Sequence, residues 1–139
     1  MQGRFYPFKS GDVKNVGRGE GLGFNVNIPL NPIKRAFTGN SEYIFIYEKI
    51  IKPILQRYSP DMVLVSCGFD CLEGDPLGQI NVTQNGVSYI LNDVLSSVQS
   101  KVLVVLEGGY NLQKIPTVAE CLVRVVAGEF YPNEANELR

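Results

Sequence analysis

The sequence predicts an α/β protein, a mainly parallel sheet in a three-layer α/β/α arrangement. Three observations carry this. The runs "MVLVSCGF" (62–69) and "KVLVVLEGG" (101–109) are apolar at consecutive positions, as in strands covered on both faces. Apolar residues at helical spacing lie between and after them. The order is strand, helix, strand, helix, strand, helix, which implies crossover connections and a parallel sheet.

The elements follow in order. Residues 1–23 are rich in glycine and charge and read as loop, and "FNVNIPL" (24–30) reads as a short strand ending at Pro29. "NPIKRAFTGN" is a loop. "SEYIFIYEKIIKPILQRYS" places Ile44, Tyr47, Ile50, Ile51, Ile54, Leu55 and Tyr58 at helical spacing. Asn40 or Ser41 is suited to cap its start, Pro53 predicts a kink and Pro60 ends it. After the strand at 62–69 comes a loop to about Asn81. "TQNGVSYILNDVLSSVQS" then reads as a helix with Val87, Ile90, Leu91, Val94, Leu95 and Val98 on one side. After the strand at 101–109, "IPTVAECLVRVVAGEF" has Pro116 near a helix start and Gly128 as its stop. "YPNEANELR" reads as a tail.

Bulk properties narrow the function. The 139 residues carry 13 Lys plus Arg against 14 Asp plus Glu, net −1, so no basic stripe proposes direct nucleic-acid binding. No apolar run approaches the roughly 18 residues of a membrane span, and the start has no signal-peptide core. An intracellular setting, nucleus or cytoplasm, is expected. Cys67, Cys71 and Cys121 lack zinc-finger spacing and read as space-filling thiols in a reducing compartment. As a metal pair, Cys67 and Cys71 would need a second ligand pair nearby. Histidine is absent. "GRGEGLG" is glycine-rich, but a phosphate loop needs strand, loop and helix in that order, and this one runs into a strand.

Chemistry is expected at the strand ends, because open α/β sheets bind ligands beyond the carboxyl tips of their strands. One strand delivers Ser66-Cys67-Gly68-Phe69-Asp70 and the other Glu107-Gly108-Gly109-Tyr110-Asn111. If the strands are parallel, Asp70 and Tyr110 emerge at one rim. Each residue also has a plain reading: Asp70 as a turn acid, the glycines as turn formers, Tyr110 as a cover for the core. Asp75-Pro76-Leu77-Gly78 has the residue order of a type I turn.

These segments resemble one family. "LVSCGFDCLEGDPLG" is similar to the S-x-GFD-x-x-x-GDPLG stretch of the zinc-dependent histone deacetylases, and "LEGGYNL" to their LEGGYNL loop. "FYP…GDV…VG.G.G.GFNVNIPL" is similar to their FFPGTGD stretch, glycine-rich loop and strand. The motifs stand in family order, cover about residues 4–128, and are closest to class II members. The resemblance implies an arginase/deacetylase-like fold, present here in part: residues 1–128 as the C-terminal portion of a catalytic domain, and 129–139 as a tail.

It also implies roles. Asp70 matches a carboxylate ligand of Zn2+, and Tyr110 the phenol that hydrogen-bonds the acetyl carbonyl. Gly108 and Gly109 match glycines lining the acetyl-lysine tunnel, and Tyr6 an aromatic that flanks the lysine methylenes. The family's remaining zinc ligands and proton-transfer histidines lie upstream of the matched stretch, so the chain by itself is expected to be inactive. The expected substrate is an acetylated protein such as a histone tail, with no direct nucleic-acid or membrane partner and with self-association of the isolated chain. The alternatives are an acetylpolyamine amidohydrolase, or a non-catalytic α/β module for protein association. "FYPFKSGD" departs from FFPGTGD at Phe8, Lys9 and Ser10. Tyr110 stands where some class II members carry His.

Overall fold

A computed structural model describes residues 11–30 and 38–129. The chain divides into two compact units, Met1–Ala36 and Phe37–Arg139. Tyr6 and the tail at 130–139 lie outside the described residues.

In the first unit, residues 24–30 form no strand, contrary to the alternation in "FNVNIPL". Alternation makes a segment able to pair, but a strand exists only on a ladder with a neighbour. Phe24 and Val26 stand exposed. Gly19–Gly21 forms one 3-10 turn. The amides of Gly21, Leu22, Gly23 and Phe24 donate to carbonyls of the same loop, so they are not presented to a phosphate.

Among the described residues the second unit carries two strands, β1 (Met62–Cys67) and β2 (Lys101–Leu106), paired in parallel with Leu64 opposite Leu103 and Cys67 opposite Leu106. Its helices are α1 (Asn40–Ile46), α2 (Lys52–Tyr58), α3 (Gln84–Ser97) and α4 (Ile115–Val126). α1 and α2 are joined by a π-helical turn, Tyr47–Ile51. Pro53 explains that turn. It has no N–H for the Lys49 carbonyl and its ring crowds the preceding turn, so the helix widens just before it. α2 ends at Ser59, which has left-handed backbone (φ 49°), ahead of Pro60.

Gly39, rather than Asn40 or Ser41, precedes the first turn of α1. The Glu42 carboxylate reaches back to the Gly39 N–H at 2.8 Å. Asn40 is engaged elsewhere: its Nδ2 donates to Thr83 Oγ1 and its Oδ1 accepts from the Thr83 N–H, both at 2.9 Å. Thr83 in turn caps α3 through the Gly86 N–H. The start of α1 is thus tied to the start of α3.

The core is built from Phe69, Leu72, Leu91, Val118, Leu122 and Val125, with Cys67 of β1 and Val104 of β2 packed against it. α3 and α4 therefore cover one face of the sheet. Met62, Leu64, Leu103 and Val105 occupy the other face and are 43–68% exposed. Among the described residues no helix is long and apolar enough to cross a membrane.

Candidate functional site

The parallel register carries both strand tips to one rim, and hydrogen bonds continue the pairing past the strands. The Phe69 N–H donates to the Gly108 carbonyl at 2.7 Å. Gly109, at φ +132°, lies directly on Phe69: a Cβ there would stand 2.6 Å from the Phe69 Cβ. Only glycine permits both that backbone angle and that approach.

Asp70 and Tyr110 meet over Gly108. A Cβ on Gly108 would stand 3.5 Å from Asp70 Oδ2 and 3.6 Å from the Tyr110 hydroxyl oxygen. Both side chains are exposed. Among the described residues, no donor is hydrogen-bonded or ion-paired to the Asp70 carboxylate. The strand-tip rule thus finds both residues and their shared rim. Gly108 and Gly109 also lie there, and Gly108 puts no side chain between the two oxygens.

Asp75 does more than its turn motif implies. It is 7% exposed, and its Oδ1 accepts from the N–H groups of Leu77 (2.8 Å) and Gly78 (3.0 Å). Its Oδ2 accepts from the Tyr110 N–H at 2.8 Å. Burial alone would raise the Asp75 pKa. Hydrogen bonds from the backbone of Gly78, Leu77, Tyr110 and Asn111 outweigh burial and hold it below the ordinary carboxylate value. Nearby, Asn111 Nδ2 donates to the Gly74 carbonyl at 3.1 Å. The link to Tyr110 spans 35 residues of sequence, and no local pattern signals it.

The neighbouring thiols have no third ligand beside them among the described residues. Burial raises the pKa of Cys67, and burial together with Asp70 and Cys67 pushes Cys71 up to about 11. Both sulfurs therefore favour the protonated form. Tyr43 is pushed up to about 12, mainly by burial and then by its acidic neighbours Cys71 and Asp70. A separate cavity beside the starts of α3 and α4 is lined by Leu72, Thr83 and Lys114, away from Asp70 and Tyr110.

A cation test gives a limited fit. Asp70 offers an uncommitted carboxylate suited to one ligand position of a hard or borderline divalent ion. Among the described residues, no group of three His, Cys, Asp or Glu side chains could hold an ion unaided.

The fold and rim define an α/β protein with a carboxylate and a phenol converging at parallel strand tips. A sequence model of the histone deacetylase domain matches residues 1–126, and the chain belongs to that family. It is similar to histone deacetylase HDA1 of Candida albicans, with 38% identity over 91% of this chain and 15% of that protein. It is also similar to the human polyamine deacetylase HDAC10, with 36% identity over 94% of this chain and 19% of that protein. The solved structure of the histone deacetylase Clr3 superposes with a TM-score of 0.81 and 34% identity. That match covers 98% of this chain and 24% of the Clr3 chain. The chain thus spans less than a quarter of each of these relatives.

Proposed function

We propose that this chain supplies one wall of a zinc-dependent deacetylase centre that hydrolyses the amide of acetyl-lysine in proteins such as histones. The observation that carries the reading is the convergence of the Asp70 carboxylate and the Tyr110 hydroxyl over Gly108.

Asp70 would hold the zinc, with further ligands from outside this sequence. When bound, zinc polarises an acyl carbonyl and lowers the pKa of water. The Tyr110 hydroxyl donates a hydrogen bond to the carbonyl oxygen as that oxygen gains negative charge. Gly108 and Gly109 leave room for an extended methylene chain, and Tyr6 would give it an aromatic wall. The sequence has no histidine to serve as general base, and among the described residues no ligand triad closes a metal site. The chain alone is therefore expected to show no turnover. A histone-tail substrate sets the protein in the nucleus or cytoplasm. The likeness to a polyamine deacetylase favours acetylated polyamines as the second substrate class.

The test is an assay of the protein that carries this chain together with the histidine-bearing remainder of the domain. It is run on an acetyl-lysine peptide and on an acetylated polyamine. Hydrolysis should vanish on chelation, and Tyr110→Phe should lower kcat about 100- to 1000-fold, the size expected for an oxyanion donor. The 139-residue chain given zinc should show no turnover. Wild-type kcat in Tyr110→Phe, or turnover by the isolated chain, overturns the reading.

A further inference from the structure

We propose that the turn Asp75–Gly78 is a positioning clamp that sets Asp70 and Tyr110 relative to each other. The inference rests on the deacetylase reading for its consequence in catalysis, but its geometry stands without it.

The two site residues belong to different loops, 40 positions apart in the sequence, so something must fix their separation. One turn touches both. On one side Gly78 packs against the Asp70 backbone so closely that a Cβ would stand 1.6 Å from the Asp70 carbonyl oxygen. On the other side Asp75 Oδ2 accepts from the Tyr110 N–H. The same carboxylate shapes the turn through Oδ1, which takes the Leu77 and Gly78 N–H groups. Shape of the turn, seat of Asp70 and anchor of Tyr110 are therefore linked through one side chain.

The chemistry requires a carboxylate. Both oxygens face N–H donors, so both must accept. Asparagine has the same shape but turns an NH2 toward one of those donors, breaking one arm. Glutamate keeps two acceptors on a side chain one methylene longer. Asp75 is buried with both oxygens engaged by backbone N–H groups, so it acts through Tyr110 and the turn, as a positioning residue.

Amide hydrogen exchange on the metal-free protein tests this directly. Asp75→Asn should raise exchange at Tyr110 or at the Leu77–Gly78 pair by roughly 10- to 100-fold, the size expected for a hydrogen bond to a charged acceptor. The amides of β1, β2 and α3 should keep wild-type rates. Asp75→Glu should recover part of the protection. Should Asp75→Asn unfold the chain outright, the same readout on Asp75→Glu decides, with faster exchange confined to Tyr110, Leu77 and Gly78 supporting the clamp. In the zinc-loaded protein, Asp75→Asn should lower kcat while KM stays within about twofold, since alignment rather than binding is lost. Wild-type exchange at all three amides overturns the clamp, as does faster exchange spread evenly over β1, β2 and α3. Inactivity of the wild-type protein would instead sink the deacetylase reading and leave the exchange result standing.

Discussion

Asp93 shows what one side chain contributes when the fold surrounds it with donors. Its carboxylate accepts from the Tyr47 hydroxyl (2.6 Å), Lys52 Nζ (2.9 Å) and Ser97 Oγ (2.9 Å), tying the π turn and α2 to α3. Tyr47 is only 1% exposed, so removing Asp93 strands a buried hydroxyl. Asp93→Ala should cost about 2–3 kcal/mol in urea unfolding at neutral pH. Burial would raise the Asp93 pKa, but hydrogen bonds from Tyr47, Lys52 and Ser97 and the Lys52 charge bring it below 3.8. A depressed folded value means that this stability is whole above the unfolded pKa and is lost as pH falls through the folded one. The gap between wild type and Asp93→Ala should therefore be constant from pH 7 to 5 and shrink below about 4. A gap that persists unchanged at pH 2 would refute the ionic account. Asp93 has no sequence signature, because two of its three partners, Tyr47 and Lys52, come from the π turn and α2, more than 40 positions away. Asp70 and Tyr110 were legible because a topological rule sends strand tips to one rim.

At the scale of elements, β1 and β2 were legible because their apolar runs admit no other use, and the helices because their stripes keep one period. The segment 24–30 was misread for the complementary reason: alternation describes a strand's faces, not its neighbour. Glycine identity in the β2 loop was visible, but the different demands on Gly108 and Gly109 were not, since both depend on contacts with the β1 loop. Gly109→Ala would place a methyl against Phe69 at a strained backbone angle. It should cost about 1–3 kcal/mol of unfolding free energy. Gly108→Ala meets Asp70 and Tyr110 only at ordinary contact distance. It should fold with stability unchanged or raised by up to about 1 kcal/mol, while filling the space between the two oxygens. Equal unfolding midpoints for the two variants would contradict this division of roles.

At the scale of the whole molecule, the described residues leave one face of the parallel sheet exposed. Strands apolar at consecutive positions require cover on both sides, and α3 and α4 provide one. Among the described residues both strands of the sheet are also edges, with backbone groups open to pairing. The side chains of Met62, Leu64, Leu103 and Val105 form an exposed apolar patch of the kind that drives association. Sedimentation of the isolated chain should show species that grow with concentration. Leu64 and Leu103 are cross-strand partners in register, so Leu64→Glu with Leu103→Lys replaces the patch centre by an opposite-charge pair without disturbing the covered face. The double variant should sediment as a monomer at concentrations where the parent associates. A monomeric parent would remove the argument for a sticky face. A double variant that associates like the parent would move the contact from the face to the strand edges, where backbone pairing is indifferent to those side chains.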